Sequence, residues 1–142
     1  MMIRPARVED IPKMCNLMFQ LTQHEISHRD MENRLNFVNE SPFDFLYVCE
    51  EKSNIVGVLG FRIRENIEEV SKYGEISVIV VDLENRGKGI GRYLMNYAEQ
   101  LAKEHGCVGT WLVSGFGREE EAHKFYKQLG YEITGYRFVK RN

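Results

Sequence analysis

Two hydrophobic periods divide this chain. Residues 2–7 read as a short first strand, after which Glu9-Asp10 places acids at a helix start. Ile11, Met14, Cys15, Met18 and Leu21 then recur along one helical face, and the pattern fades near His24–Ser27. A weaker helix covers about Asp30–Val38, with Met31, Leu35 and Val38 on one side, until Ser41-Pro42 breaks it. Phe45–Glu50 and Ile55–Arg64 read as an antiparallel hairpin joined through Glu51-Lys52-Ser53-Asn54. A polar connection, Glu65 to Lys72, leads into the almost wholly apolar strand Ile76–Val81.

Beyond that strand comes the basic, glycine-rich turn Arg86-Gly87-Lys88-Gly89-Ile90-Gly91. A helix opens within it, marked by Ile90, Leu94, Tyr97, Ala98 and Leu101, and His105-Gly106 makes its stop. Cys107–Val113 reads as another strand and Ser114 to Gly117 as a loop. Glu119–Leu129 is a helix with Ala122, Phe125, Tyr126 and Leu129 inward; Gly130 ends it, and Tyr131–Val139 supplies the last strand. The order β-α-α-β-β-β-α-β-α-β is that of one mixed α/β domain over residues 1–142. Early antiparallel pairing and late helical crossovers imply a mixed sheet with helices on both faces.

The turn at Arg86–Arg92 carries the chemistry. A helix N-terminus leaves backbone N–H groups without intrahelical acceptors and bears the positive end of the helix dipole. Glycines allow close approach, so phosphate oxygens can sit on the bare amides. A Walker loop is excluded, because Gly89 rather than Ser or Thr follows Gly87-Lys88. A dinucleotide fingerprint is excluded too, because Arg92 stands where the third glycine belongs. The spacing that remains is Arg86-x-x-Gly89-x-Gly91.

Composition narrows the partners. The 142 residues suit one domain, and a net charge of −2 provides no global basic field for nucleic acid or an anionic membrane. Three scattered cysteines (Cys15, Cys49, Cys107) form no C-x-x-C pair, which argues against a zinc site and fits a reducing, cytoplasmic setting. No signal region or membrane-length apolar run is present.

The Arg86–Gly91 spacing, with Ala122-x-x-Phe125-Tyr126-x-x-x-Gly130-Tyr131 downstream and Ile3-Arg4-Pro5-Ala6 upstream, resembles the GNAT superfamily of acyl-CoA-dependent N-acetyltransferases. The resemblance spans essentially the whole chain in element order. It implies acetyl-CoA as acyl donor, with no metal. Backbone amides of Arg86, Gly87, Lys88, Gly89, Ile90 and Gly91 would hold the pyrophosphate, with charge from Arg86 and from Lys88 or Arg92. Main-chain groups of Ile79, Val80 and Val81 would pair with the pantetheine arm as an added strand. Tyr126 would act as general acid, protonating the departing thiolate; periodicity by itself makes it a core tyrosine.

An amine of ordinary pKa is neutral in roughly one molecule in two to three thousand at pH 7, a penalty of about 4–5 kcal/mol. Glu75, at the mouth of the apolar strand, is the candidate base, acting through water; alternation places it on the face of Ser77 and Ile79. Its plainer role is the polar end of a strand. His123, Ser114 and the group His24, Glu25 and His28 are secondary candidates whose ordinary roles are surface and turn positions. Glu65, Glu68 and Glu69 would steer a cationic acceptor while raising its pKa.

The expected function is acetyl transfer to a primary amine, of a small molecule in preference to a protein terminus or lysine. The alternative of another class is a non-catalytic acyl-CoA sensor, which would need neither Tyr126 nor Glu75. A homodimer fits similar proteins.

Overall fold

A computed structural model of the chain describes residues 1–114 and 119–142. These fall into two compact units, Met1–Trp111 and Leu112–Asn142. The expected loop at Ser114 to Gly117 lies, from Gly115 on, outside the described residues.

In the first unit, β1 (Met2–Pro5), β2 (Asp44–Glu51), β3 (Asn54–Glu65), β4 (Lys72–Val81) and β5 (Thr110–Trp111) form one sheet in that spatial order. The first four are antiparallel neighbours, and β5 runs parallel to β4. Helices α1 (Ile11–Thr22) and α2 (His28–Glu40) follow β1, and α3 (Ile90–Glu104) links β4 to β5. The fold is a mixed sheet flanked by helices.

Side-chain chemistry accounts for the boundaries. Asp10 ends a 3-10 turn over Val8–Asp10, accepts from Arg7 N–H at 2.8 Å and receives two guanidinium bonds from Arg4 at 2.8 and 2.9 Å. Burial acts on this carboxyl in the upward direction, but the Arg4 and Arg7 hydrogen bonds outweigh it and hold Asp10 below the usual carboxylate range. Ser27 caps α2 by accepting from Asp30 N–H at 3.0 Å, so the helix begins at His28, earlier than its apolar pattern. At the end of α3, Gly106 N–H donates to Lys103 and Cys107 N–H to Ala102, the closing turn that His105-Gly106 foretold.

Two apolar layers sandwich the sheet. Met14, Leu17, Met31 and Leu35 of α1 and α2 pack with Val48, Val58 and Val80. On the opposite face, a Cβ on Gly57 would meet Leu94 of α3 at 3.0 Å, and one on Gly74 would meet Phe61 at 2.5 Å and Ala102 at 3.2 Å. Burying a side chain such as Leu94 or Met14 stabilises the fold by roughly 1.5–3 kcal/mol. Among the described residues no helix is long and apolar enough to cross a membrane.

In the second unit the regular element is α4 (Glu119–Gln128). Leu129 lies just past it, and Gly130 (φ +94°) closes it. Two expectations are corrected here. The strand expected over Cys107–Val113 is confined to Thr110–Trp111, because Cys107 is spent on closing α3. Tyr131–Val139, expected as the last strand, forms neither strand nor helix. Within this unit no other strand among the described residues is available to pair with it.

Candidate coenzyme and acceptor site

The site is built on an irregularity of β4. Gly60 pairs with Val78 and Phe61 with Ile76, so Ser77 is an extra residue, a bulge, on β4. Gly60 makes room for it: a Cβ there would lie 2.7 Å from Ser77 Oγ and 3.1 Å from Val78 Cβ. The bulge breaks the alternation of faces. Gly74 and Ile76 lie on the α3 side, whereas Val78 and Val80 pack with the α1/α2 layer. Glu75 therefore shares a face with Ser77 as alternation required. Ile79, paired with Leu59, lies on the opposite face, which corrects the expectation that it sides with Glu75.

Within the first unit, β5 pairs with β4 only at Gly74 and Glu75. From Ile76 to Val81 the outer edge of β4 has no ladder partner among the described residues of that unit. Ile79, Val80 and Val81 thus stand on an edge able to accept an extended chain, the geometry of strand addition.

Past β4, Asp82 starts a short 3-10 turn over Leu83–Asn85, and the chain then enters Arg86–Gly89. Gly87 (φ +81°) and Gly89 (φ +82°) adopt the left-handed conformation, and a Cβ on either would meet nothing within 4 Å. Gly89 is the N-cap of α3 and offers no side-chain acceptor, and the first turn of the helix carries no acid. Tyr93 N–H donates to Gly89 C=O at 3.0 Å, so the amides before it lack intrahelical partners. Ile90, 1% exposed, pins this helix start to the sheet. Arg86, Lys88 and Arg92 are exposed around it. Open glycines, bare amides, three cations and no carboxylate in the first turn form a cradle that fits a diphosphate.

Glu75 lies at the other end of the bulge, with its side chain 15% exposed. Arg64 Nε is 3.0 Å from its Oε1, and Arg62 Nη1 is 3.9 Å away. By distance Glu75 is paired with Arg64, but that oxygen has no aligned hydrogen-bond donor, so the contact is an ion pair without a directed bond. Arg62 spends its Nε on Asp44 at 2.6 Å.

Tyr126 belongs to the second unit, on α4, with its ring 5.2 Å from Phe125 and 6.2 Å from Tyr131. His123 lies one turn earlier on the same helix. Ser114 lies outside any strand. His24 and Glu25 fall in the connection between α1 and α2, and His28 opens α2, all three exposed. Among the described residues no group of His, Cys, Asp and Glu has metal-binding geometry.

Pattern reading missed Arg62, Arg64 and the contacts of Asp82. The first two are visible only as polar positions late in an apolar strand. An Asp between a strand and a helix-opening loop is a recognisable capping signal.

A model of the acetyltransferase (GNAT) family matches residues 11–131. The chain is 26% identical over 138 residues to an aminoalkylphosphonate N-acetyltransferase of Salmonella typhimurium, covering 97% of this chain and 89% of the relative. It is 31% identical over 123 residues to a glucosamine 6-phosphate N-acetyltransferase of Candida albicans, covering 84% and 80%. Its fold superposes on the crystal structure of a glucosamine-6-phosphate N-acetyltransferase from Arabidopsis thaliana with a TM-score of 0.85, at 23% identity over 99% of this chain and 97% of the other. A bulged strand, a glycine loop opening a helix and a family match across both units lead to one conclusion: the chain belongs to the GNAT family of acetyltransferases.

Proposed function

We propose that this acetyltransferase, which uses acetyl-CoA as acyl donor, acetylates the primary amine of a small molecule bearing an anionic phosphorus group. The observation that carries the donor site is the open cradle at Arg86–Gly91 ahead of α3. Acetyl-CoA supplies the activated acetyl group and a thiolate leaving group.

The chain's own residues have four tasks. Amides of Gly87 to Gly91, with Arg86, Lys88 and Arg92, bind the diphosphate. The edge at Ile79–Val81, without a ladder partner among the described residues of its own unit, aligns the pantetheine arm. Glu75, beside the bulge, takes the proton that the incoming ammonium must lose, directly or through water. Tyr126 donates its phenolic proton to the departing sulfur.

Two observations support the acceptor class. The two relatives described above, aligned over 89% and 80% of their own length, are named for amines that carry phosphonate or phosphate. This chain sets Arg62 and Arg64 on the same face as Glu75, and Arg64, half exposed, uses only its Nε on Glu75 among the described residues. A carboxylate for the ammonium beside a guanidinium for the phosphorus oxyanion suits such an acceptor.

The test is thiol release from acetyl-CoA across a panel of amines with and without phosphonate or phosphate. Turnover concentrated on the anionic amines supports the reading. Activity confined to uncharged amines or peptide N-termini overturns the acceptor class, and an unchanged pH–rate profile in Glu75→Gln removes Glu75 as the base.

A further inference from the structure

We infer that Gln20 and Lys13 of α1 are positioning residues for the coenzyme loop, acting through Asp82. The inference rests on the reading of Arg86–Gly91 as the diphosphate cradle. It concerns what fixes that cradle in space.

The loop itself is weakly held. Arg86 Nε reaches Val81 C=O at 3.4 Å and Lys88 Nζ reaches Asn85 Oδ1 at 3.3 Å, both contacts exposed. Nothing packs within 4 Å of where a side chain on Gly87 or Gly89 would begin. Ile90 holds its far end at the start of α3, so its near end must be set upstream, where the chain leaves β4.

There Asp82 is buried, its side chain only 6% exposed, and every one of its polar groups is used. Its N–H donates to Val56 C=O at 2.8 Å, and its C=O accepts from Asn85 N–H at 2.8 Å. Oδ2 takes Lys13 Nζ at 2.6 Å. Oδ1 takes Gln20 Nε2 at 3.2 Å and Glu84 N–H at 3.4 Å.

Gln20 adds a second grip, because its Oε1 accepts from Leu83 N–H at 2.9 Å. One amide thus holds two consecutive residues of the loop, donating to the first and accepting from the second. Asn16 Oδ1, one helical turn back, accepts from the same Nε2 at 3.0 Å and orients the group. Only an uncharged amide satisfies both partners; a carboxylate at position 20 would face Asp82. Three contacts from α1 therefore clamp the start of a loop whose far end must meet a diphosphate with sub-ångström tolerance.

A structural tie between helix and sheet would lower folding stability alone. A positioning tie separates the two substrates. In Gln20→Ala and in Lys13→Met, the KM for acetyl-CoA and the Kd for coenzyme A by calorimetry should rise roughly tenfold, the scale of one lost hydrogen bond to a charged group. The KM for the amine should stay within about twofold, and Lys13→Arg should restore coenzyme affinity. Amide exchange at residues 83–89 should quicken in both variants while α3 remains protected.

Unchanged coenzyme affinity in Gln20→Ala and Lys13→Met, or equal rises in both Michaelis constants, overturns the inference. Should Lys13→Met fail to fold, Gln20→Ala, a good helix former at a part-exposed position, decides alone. Absence of coenzyme A heat with the wild-type chain would instead sink the cradle reading, and this inference with it. Wild-type binding with indifferent variants removes only the clamp.

Discussion

Tyr131 closes the helix on which Tyr126 stands: its N–H donates to Tyr126 C=O at 3.0 Å, and the two rings lie 6.2 Å apart. Between them Gly130, at φ +94°, donates to Lys127 C=O at 3.0 Å. This is a Schellman ending with its accompanying apolar contact between the residues at either end. The spacing Tyr-x-x-x-Gly-Tyr thus has a local cause, since the glycine permits the left-handed turn that brings the second ring back over the first.

Substitutions at Gly130 should follow the cost of that turn. Gly130→Ala should lose about 1 kcal/mol of stability in urea melts, and Gly130→Asn distinctly less, because asparagine tolerates the left-handed region. Equal losses would mean that the backbone conformation is not what this position supplies.

Tyr126→Phe keeps the ring contacts and removes the hydroxyl. The expected result is a fall in kcat of roughly a hundredfold or more, the usual scale for a general acid, with the Kd for coenzyme A unchanged. Parallel losses of turnover and affinity would assign Tyr126 to packing.

At the head of α3, Gly89→Glu should abolish coenzyme heat in calorimetry while far-UV circular dichroism stays native. The left-handed backbone at φ +82° costs a side-chain-bearing residue about 1–2 kcal/mol, and the carboxylate stands where a diphosphate must. Retained affinity would place the diphosphate elsewhere.

Asp82 makes stability depend on acid. Burial acts on its carboxyl in the upward direction, but the bonds from Lys13, Gln20 and Glu84 outweigh it, so the folded value lies below the usual one. A lowered carboxyl stabilises fully above its unfolded pKa of about 3.9 and loses that contribution as pH falls through the folded value. Thermal melts should therefore decline less steeply below about pH 4 in Asp82→Asn than in the wild type. Asp10 and Asp44, lowered as well, supply the slope that remains. Identical slopes would show that Asp82 carries no linkage.

What was legible in the sequence was local. The element order through α4, the glycine stop of α3 and the glycine-rich opening of the same helix are each written within a few neighbouring residues. The relations that shape the site are not. Gln20 lies 62 residues from Asp82 and Lys13 lies 69 away, so no periodicity brings them together. The bulge at Ser77 exists only relative to Gly60 on the next strand. Tyr131–Val139 has the apolar content of a strand, yet a strand is a property of a pair. Arg62 and Arg64 read as the polar end of β3 until pairing sets Arg62 opposite Glu75.

Ser77 has a practical corollary for grafting specificity from one homologue to another. Because a supernumerary residue reverses the order of inward and outward side chains midway along β4, residues 72–76 and 78–81 form two reading frames with a seam between them. A chimera that keeps the residue count of β4 but pairs Ser77 regularly with Gly60 would turn Ile79 and Val81 into the layer now filled by Val78 and Val80. Its recipient would inherit the donor's letters and lose the donor's surface.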